Sequence, residues 1–174
     1  MTAVTTDVRL LSIYLEDHHA LLGAVLARAG RLVASDSHLP GGTALREIRD
    51  VLTDDREALR ALMDTLGSTP SAAKSLLAGV AERLGRLKPN GRLLERSPLS
   101  RVVELDALRA AVQDDAALWR VLGAIAETDD RISAADAAAR TSRAQRQAQT
   151  VERLRVAAAV AALGGREAAS AHRR

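Results

Sequence analysis

Hydrophobic residues recur at helical spacing along four long stretches of the chain. In each stretch Leu, Val, Ile and Ala return every three or four residues, the repeat of one face of an α-helix. Residues typical of turns and links lie between or after these stretches, at 35–42, 67–70, 88–91, 128–130 and 164–165. The pattern predicts long helices over 7–34, 43–66, 98–127 and 131–163, with a shorter amphipathic helix over 71–87.

The lengths of the connections predict how these helices are arranged. Short turns join the first helix to the second and the third to the fourth, so each pair is expected to be antiparallel. The connection over 67–97 is long enough to run the length of a bundle. The predicted fold is therefore an all-α, ferritin-like antiparallel four-helix bundle whose long crossover contains the short fifth helix. The competing topology is up-down-up-down, with the 71–87 helix packed across one end.

Composition narrows the fold and the chemistry. Among 174 residues there are one Trp, one Tyr and no Phe, so the core must be built from Leu, Val and Ala. The absence of Cys excludes disulfides, thiolate nucleophiles and iron–sulfur ligation. We expect one domain over 1–165, a disordered polar tail over 166–174, and a cytoplasmic location, because no signal peptide or membrane span is evident.

An ionisable residue interrupts the apolar face of each long helix near its midpoint. The interruptions are His18, Asp55, Asp115 and the pair Arg143 and Arg146. The apolar face of the fourth helix is predicted to comprise Ile132, Ala135, Ala139, Thr150, Leu154, Ala157 and Ala161. In a bundle the five ionisable residues would meet in one central layer, where the planar fork of arginine can hold two carboxylates.

Carboxylates in the middle of a ferritin-like bundle suggest a di-iron or di-manganese site. Such a site needs Glu-x-x-His motifs, and the chain contains none. The only candidate ligands are His18, Asp55 and Asp115, and the arginines of the fourth helix would repel a cation. Nucleotide-binding and hydrolase motifs are also absent. We therefore expect no metal, no cofactor and no catalytic residue; the alternative is a degenerate metal-binding protein or oxidoreductase that uses these three residues.

Three segments carry a resemblance to known sequences. They are Tyr-Leu-Glu-Asp-His at 14–18, the stretch at 82–101 around Lys-Pro-Asn-Gly, and Val-Val-Glu-Leu-Asp-Ala-Leu at 102–108. Together they resemble a family of uncharacterised bacterial proteins with a ferritin-like bundle. The resemblance covers most of the chain and implies the bundle topology, but it brings no activity and no catalytic residues.

The connector before the third helix is basic and offers a surface for an anionic partner. Its cations are Arg83, Arg86, Lys88 and Arg92. The alternative is that they cover acidic outer faces of neighbouring helices. A nucleic-acid partner is disfavoured because there are almost no aromatic rings on which bases could stack. The sequence favours a non-catalytic scaffold or interaction module that forms a homodimer through a helical face, without a membrane partner, and it names no small-molecule ligand.

Overall fold

The computed structural model describes residues 6–36, 38–68 and 97–164, and the regular structure in these ranges is entirely α-helical. The helices are α1 (Val8–Asp36), α2 (Gly42–Thr65), α3 (Pro98–Ile125) and α4 (Ala134–Leu163). Their ends differ from the predicted ends by no more than three residues, so the prediction of four long helices is confirmed. The predicted helix over 71–87, the basic connector residues and the tail over 166–174 lie outside the described residues.

Serine side chains mark the start of the second helical pair. Ser97 Oγ accepts a hydrogen bond from the backbone N–H of Leu99, and Ser133 Oγ accepts one from Asp136. The cap at Ser133 explains why α4 begins at Ala134, three residues later than predicted. In the turn before it, Asp129 binds the backbone and guanidinium of Arg131 and holds that residue outside the helix.

Each helix packs against two others, and the contacts fix their directions. α1 contacts α2 and α3, and α4 contacts α3 and α2. Arg101 near the start of α3 pairs with Asp36 at the end of α1, with 2.9 Å between Nε and Oδ2. Gly41, just before α2, lies against Leu154 in the second half of α4. Neighbouring helices are thus antiparallel, and the end of α2 and the start of α3 lie at opposite ends of the bundle.

The core is made mainly of leucines from the first three helices. The hydrophobic residues that recur at helical spacing along these helices face the core: among others, Leu15, Leu52, Leu59, Leu105, Val112 and Leu122 are fully buried. No helix in the described ranges combines the length and the apolar character needed to cross a membrane.

The prediction of the apolar face of α4 was wrong. The buried residues of this helix are Ala137, Ala144, Val151 and Ala158, spaced seven apart, whereas Ala135, Ala139 and Ala157 are exposed. A seven-residue repeat of small residues is typical of a helix that packs closely along one neighbour. The face is therefore rotated from its predicted position, and this changes which arginines point inward.

The contact between Gly41 and α4 can be tested by adding a methyl group. Gly41 has φ of +94°, a left-handed conformation, and a Cβ there would overlap Cδ2 of Leu154. We expect Gly41→Ala to lower the free energy of unfolding by roughly 2–3 kcal/mol, from backbone strain and from overpacking together. Urea denaturation at 25 °C measures this difference.

Gly67→Ala is the matched control. Gly67 has φ of +68° but no atom within 4 Å of an added Cβ, so only the strain remains, about 1 kcal/mol. Equal losses in the two variants would contradict the packing of Gly41 against Leu154.

Candidate functional site

The centre of the bundle contains a fully buried carboxylate held by two arginines. Asp55, on α2, is 0% exposed. Oδ1 of Asp55 accepts hydrogen bonds from Nη1 of Arg140 and Nη2 of Arg143, each at 2.5 Å. Both arginines lie on α4, one turn apart, so this carboxylate joins α2 to α4. Hydrogen bonds between two charged groups are among the strongest in proteins.

The same two arginines also bind Asp54 at the edge of the cluster. Nη1 of Arg140 and Nη2 of Arg143 lie 3.0 and 2.8 Å from Oδ2 of Asp54. Although partial burial alone would raise the pKa of Asp54, hydrogen bonds from Arg143 and the charge of Arg140 hold it below its ordinary value. Asp54 is therefore an anion at neutral pH, and it supplies the second negative charge of the cluster.

Arg140 is fixed by further contacts on both sides. Nε of Arg140 donates to Oδ2 of Asp136 at 2.9 Å, within α4. Its guanidinium carbon lies 4.9 Å from the ring centroid of Trp119, a cation–π contact with α3. Burial opposes the charge, but hydrogen bonds to Asp136 and Asp55 hold the pKa of Arg140 above its usual value. Arg140 thus contacts residues of α2, α3 and its own helix.

A second buried carboxyl, Asp115 on α3, completes the cluster. Oδ1 of Asp115 accepts a hydrogen bond from Nε1 of Trp119 at 3.1 Å, and the residue is 2% exposed. Burial, followed by the charge of Asp55 and a hydrogen bond to Asp55, raises the pKa of Asp115 to about 8. Asp115 is therefore protonated at neutral pH.

A proton shared between Asp55 and Asp115 accounts for two carboxyl oxygens that would otherwise have no hydrogen-bond donor. Oδ2 of Asp55 and Oδ2 of Asp115 are buried, and no N–H or O–H of the described residues reaches either. One proton between the two carboxyls satisfies both oxygens. The carboxyl groups of Asp54 and Asp55 both lie against the guanidinium groups of Arg140 and Arg143, which join α2 to α4.

The structure brings together three of the five residues predicted to form the interior layer. Asp55, Asp115 and Arg143 lie in the cluster. His18 is at the same level but in a separate pair: its Nε2 lies 3.6 Å from Oδ2 of Asp114, and its Nδ1 lies 2.8 Å from the carbonyl oxygen of Tyr14. His18 therefore belongs to the contact between α1 and α3.

The prediction that Arg146 lies in the interior was wrong. Arg140 occupies the interior position that was expected for Arg146. Arg146 is exposed, because it lies about 200° around α4 from the buried Ala144. Arg140 lies only about 40° from Ala144 and so points inward. The seven-residue spacing of small residues could have identified Arg140. Asp54 is exposed and lies off the apolar face of α2, so no comparable pattern in the sequence indicated it.

Neither the grouping of metal-ligating side chains in the described residues nor comparison with known proteins assigns a role to this cluster. No three His, Cys, Asp or Glu side chains of the described residues are grouped so that they could hold a metal ion. Comparison with models of protein families, with curated proteins and with solved structures gives no match.

The assignment of arginines can be tested by replacing each with Met. Arg140→Met leaves the buried Asp55 with one guanidinium and removes the contact with Trp119. We expect it to lower the free energy of unfolding by about 3–5 kcal/mol, the range for breaking a buried ion pair. Arg146→Met is the matched control on the same helix and should change stability by less than about 0.5 kcal/mol. Similar losses in both variants, measured by urea denaturation, would contradict the geometry.

The protonated state of Asp115 predicts an unusual dependence of stability on pH. The folded state keeps a proton on Asp115 up to about pH 8, whereas the unfolded chain releases it near its ordinary value of 3.8. Between these values the folded state binds the extra proton, so stability falls as pH rises. We expect a loss of about 2 kcal/mol between pH 6 and pH 8 in urea denaturation.

Asp115→Asn provides the control for this pH dependence. The amide keeps the acceptor for Trp119 and replaces the shared proton with an N–H donor, but it does not titrate. Partial burial and the charges of Arg56 and Arg60 lower the pKa of His19, which makes stability rise with pH near 6.5 in both proteins. The difference between wild type and Asp115→Asn removes this contribution, and a difference that does not change with pH would contradict the shared proton.

Proposed function

We propose that this protein is a non-catalytic helical bundle of ferritin-like topology that serves as a scaffold or interaction module. Its central polar layer takes the place that a metal centre occupies in ferritin-like carboxylate proteins. The observation that carries the proposal is the double hydrogen bond from Arg140 and Arg143 to the buried Asp55. These arginines supply the positive charge that a metal ion would otherwise supply.

The directions of the helices support the ferritin-like topology. In an up-down-up-down bundle with short loops, α2 would end where α3 begins. Here these two points lie at opposite ends, since Arg101 of α3 lies beside Asp36 and the carbonyl oxygen of Pro40. A connection that spans the bundle is the arrangement of ferritin-like folds. Membership of the uncharacterised bacterial family, to which the sequence bears a resemblance, forms part of the same proposal.

Electrostatics disfavours a metal centre at the cluster. A divalent cation bound to Asp55 would lie within a few ångströms of two guanidinium groups that do not lose their protons. It would also have to remove the proton from Asp115 and pull His18 away from Asp114. The three candidate ligands of the sequence prediction are therefore occupied by other partners.

An exposed apolar surface at one end of α1 and α3 supports the interaction role. Leu10 is 63% exposed, and Ile13 and Val121 are 41% and 42% exposed. Leu10 and Val121 line a cleft of about 600 Å³ together with Tyr14 and Ile125. Large apolar side chains grouped on a surface are typical of sites where another protein binds. The proposal includes self-association of two copies through this helical face.

Light scattering and elemental analysis of one purified sample test both parts of the proposal. We expect the mass of a dimer and no stoichiometric iron, manganese or zinc. Val121→Lys should shift the mass to that of a monomer, because it places a charge in the apolar cleft. Val103→Lys is the matched control, on the same helix and 46% exposed, but outside the cleft.

The contradicting outcomes separate the two parts. A stoichiometric metal that is lost in Asp55→Asn or Asp115→Asn would favour the metal-binding or oxidoreductase alternative. A monomer at high concentration would contradict self-association and leave the charge cluster untouched.

A further inference from the structure

The outer side of the contact between α3 and α4 forms a cationic groove. Its volume is about 790 Å³, within the usual range for small-molecule sites. The floor consists of the small residues Ala116 and Ala148, so long side chains stand as walls on either side. The walls contain three arginines and three glutamines: Arg109, Arg120, Arg153, Gln113, Gln145 and Gln149.

This groove is separate from the buried cluster. Gln145 lies about 200° around α4 from Arg143, so the two side chains point to opposite sides of the helix. The groove also differs from the apolar cleft in composition, because none of its lining residues is a large hydrophobic residue. It does not depend on the proposed scaffold role.

Glu152, the acidic residue among the described residues that line the groove, is already paired with two arginines. Glu152 accepts hydrogen bonds from Nε and Nη2 of Arg155 at 2.8 and 2.7 Å, and Nε of Arg109 lies 2.8 Å from it. Hydrogen bonds and charge from Arg155, with the charge of Arg109, lower the pKa of Glu152. Glu152 is thus an anion shared by two cations, and it leaves no negative charge for the other arginines of the groove.

Among the residues that the structure describes, no carboxylate pairs with the guanidinium groups of Arg120 and Arg153 in the groove. Within the described ranges Arg153 donates only to the hydroxyl of Thr150, at 2.8 Å, and Arg120 has no hydrogen bond or ion pair. Glu152 pairs with Arg109, so the next residue of α4, Arg153, lies at the Arg109 end of the groove. Arg120 lies eleven residues further along α3 and so stands at the other end. At 1.5 Å per residue the ends are about 16 Å apart.

We propose that this groove binds a small polyanion that carries phosphate or carboxylate groups towards both of its ends. The unpaired guanidinium groups bind the terminal oxygens, since the guanidinium fork matches both anions. The side-chain amides of the three glutamines donate to the oxygens between them.

The lining disfavours two larger occupants. A docked protein helix would need apolar anchors at the centre of its interface, and the groove offers only alanines there. A single-stranded nucleic acid would use aromatic rings for stacking, but Trp119 is buried and Tyr14 lies in the cleft of α1 and α3. An elongated small anion fits both the charges and the volume.

Calorimetric titration with a linear hexaphosphate and with pentaglutamate, two polyanions whose extended length approaches that of the groove, tests the proposal at constant ionic strength. We expect binding of at least one of them, weakened about tenfold by Arg120→Gln and by Arg153→Gln, because each removes one charge-assisted contact. Arg31→Gln is the matched control: it removes the same charge from an exposed position of α1, a helix that does not line the groove, and binding should change less than about twofold. The stronger of the two probes identifies the preferred anionic group.

A second readout locates the ligand. Side-chain amide resonances of Gln113 and Gln149 should shift on titration in NMR spectra, whereas those of Gln147, outside the lining, should not. Three results would overturn the proposal: no binding of either probe, equal weakening by Arg31→Gln and Arg120→Gln, or tighter binding of a short oligonucleotide through the same arginines.

Discussion

A carboxylate with no access to water must be neutralised where it stands, and in this protein that constraint falls on Asp55. Its two partners come from another helix, so the interaction fixes the position of α2 against α4. These two helices meet at few positions, in contrast to the extensive packing of α3 on α4. The cluster therefore supplies direction and register where apolar packing supplies little. This is the role best attested for buried polar groups.

The scarcity of aromatic side chains makes such a cluster easier to accommodate. Small residues at every seventh position let α4 approach α3 closely, and the core volume comes from leucines on the other helices. Where α4 turns towards α2, the long stems of Arg140 and Arg143 take up space that large apolar residues would otherwise fill. Trp119 covers one face of the Arg140 guanidinium and also donates a hydrogen bond to Asp115. One ring thus contacts both a guanidinium and a buried carboxyl group, which helps to explain its place at the centre of an aromatic-poor core.

The sequence could predict the helices and most of their faces, because Leu and polar residues contrast strongly in α1, α2 and α3. It also indicated Asp55, Asp115 and Arg143 as interior residues. The contrast fails in α4, where alanine occurs on every side and marks neither core nor surface. For this reason the predicted apolar face of α4 was rotated away from the observed one. The predicted interior layer therefore included Arg146 and omitted Arg140. Asp54 could not be found by periodicity at all, since it reaches the cluster from a half-exposed position beside Asp55.

The balance of charge explains why a carboxyl group of this site holds a proton at neutral pH. The two arginines keep their protons at any pH at which the protein is folded. Both arginines bind Asp54 and Asp55, and against the effect of burial they hold the pKa of Asp54 below its ordinary value. Asp115 is the remaining carboxyl, and it faces Asp55 without a guanidinium donor of its own. Any excess of negative charge in the centre is therefore relieved by a proton on Asp115, and removal of that proton leaves two buried carboxylates facing each other across the helix contact.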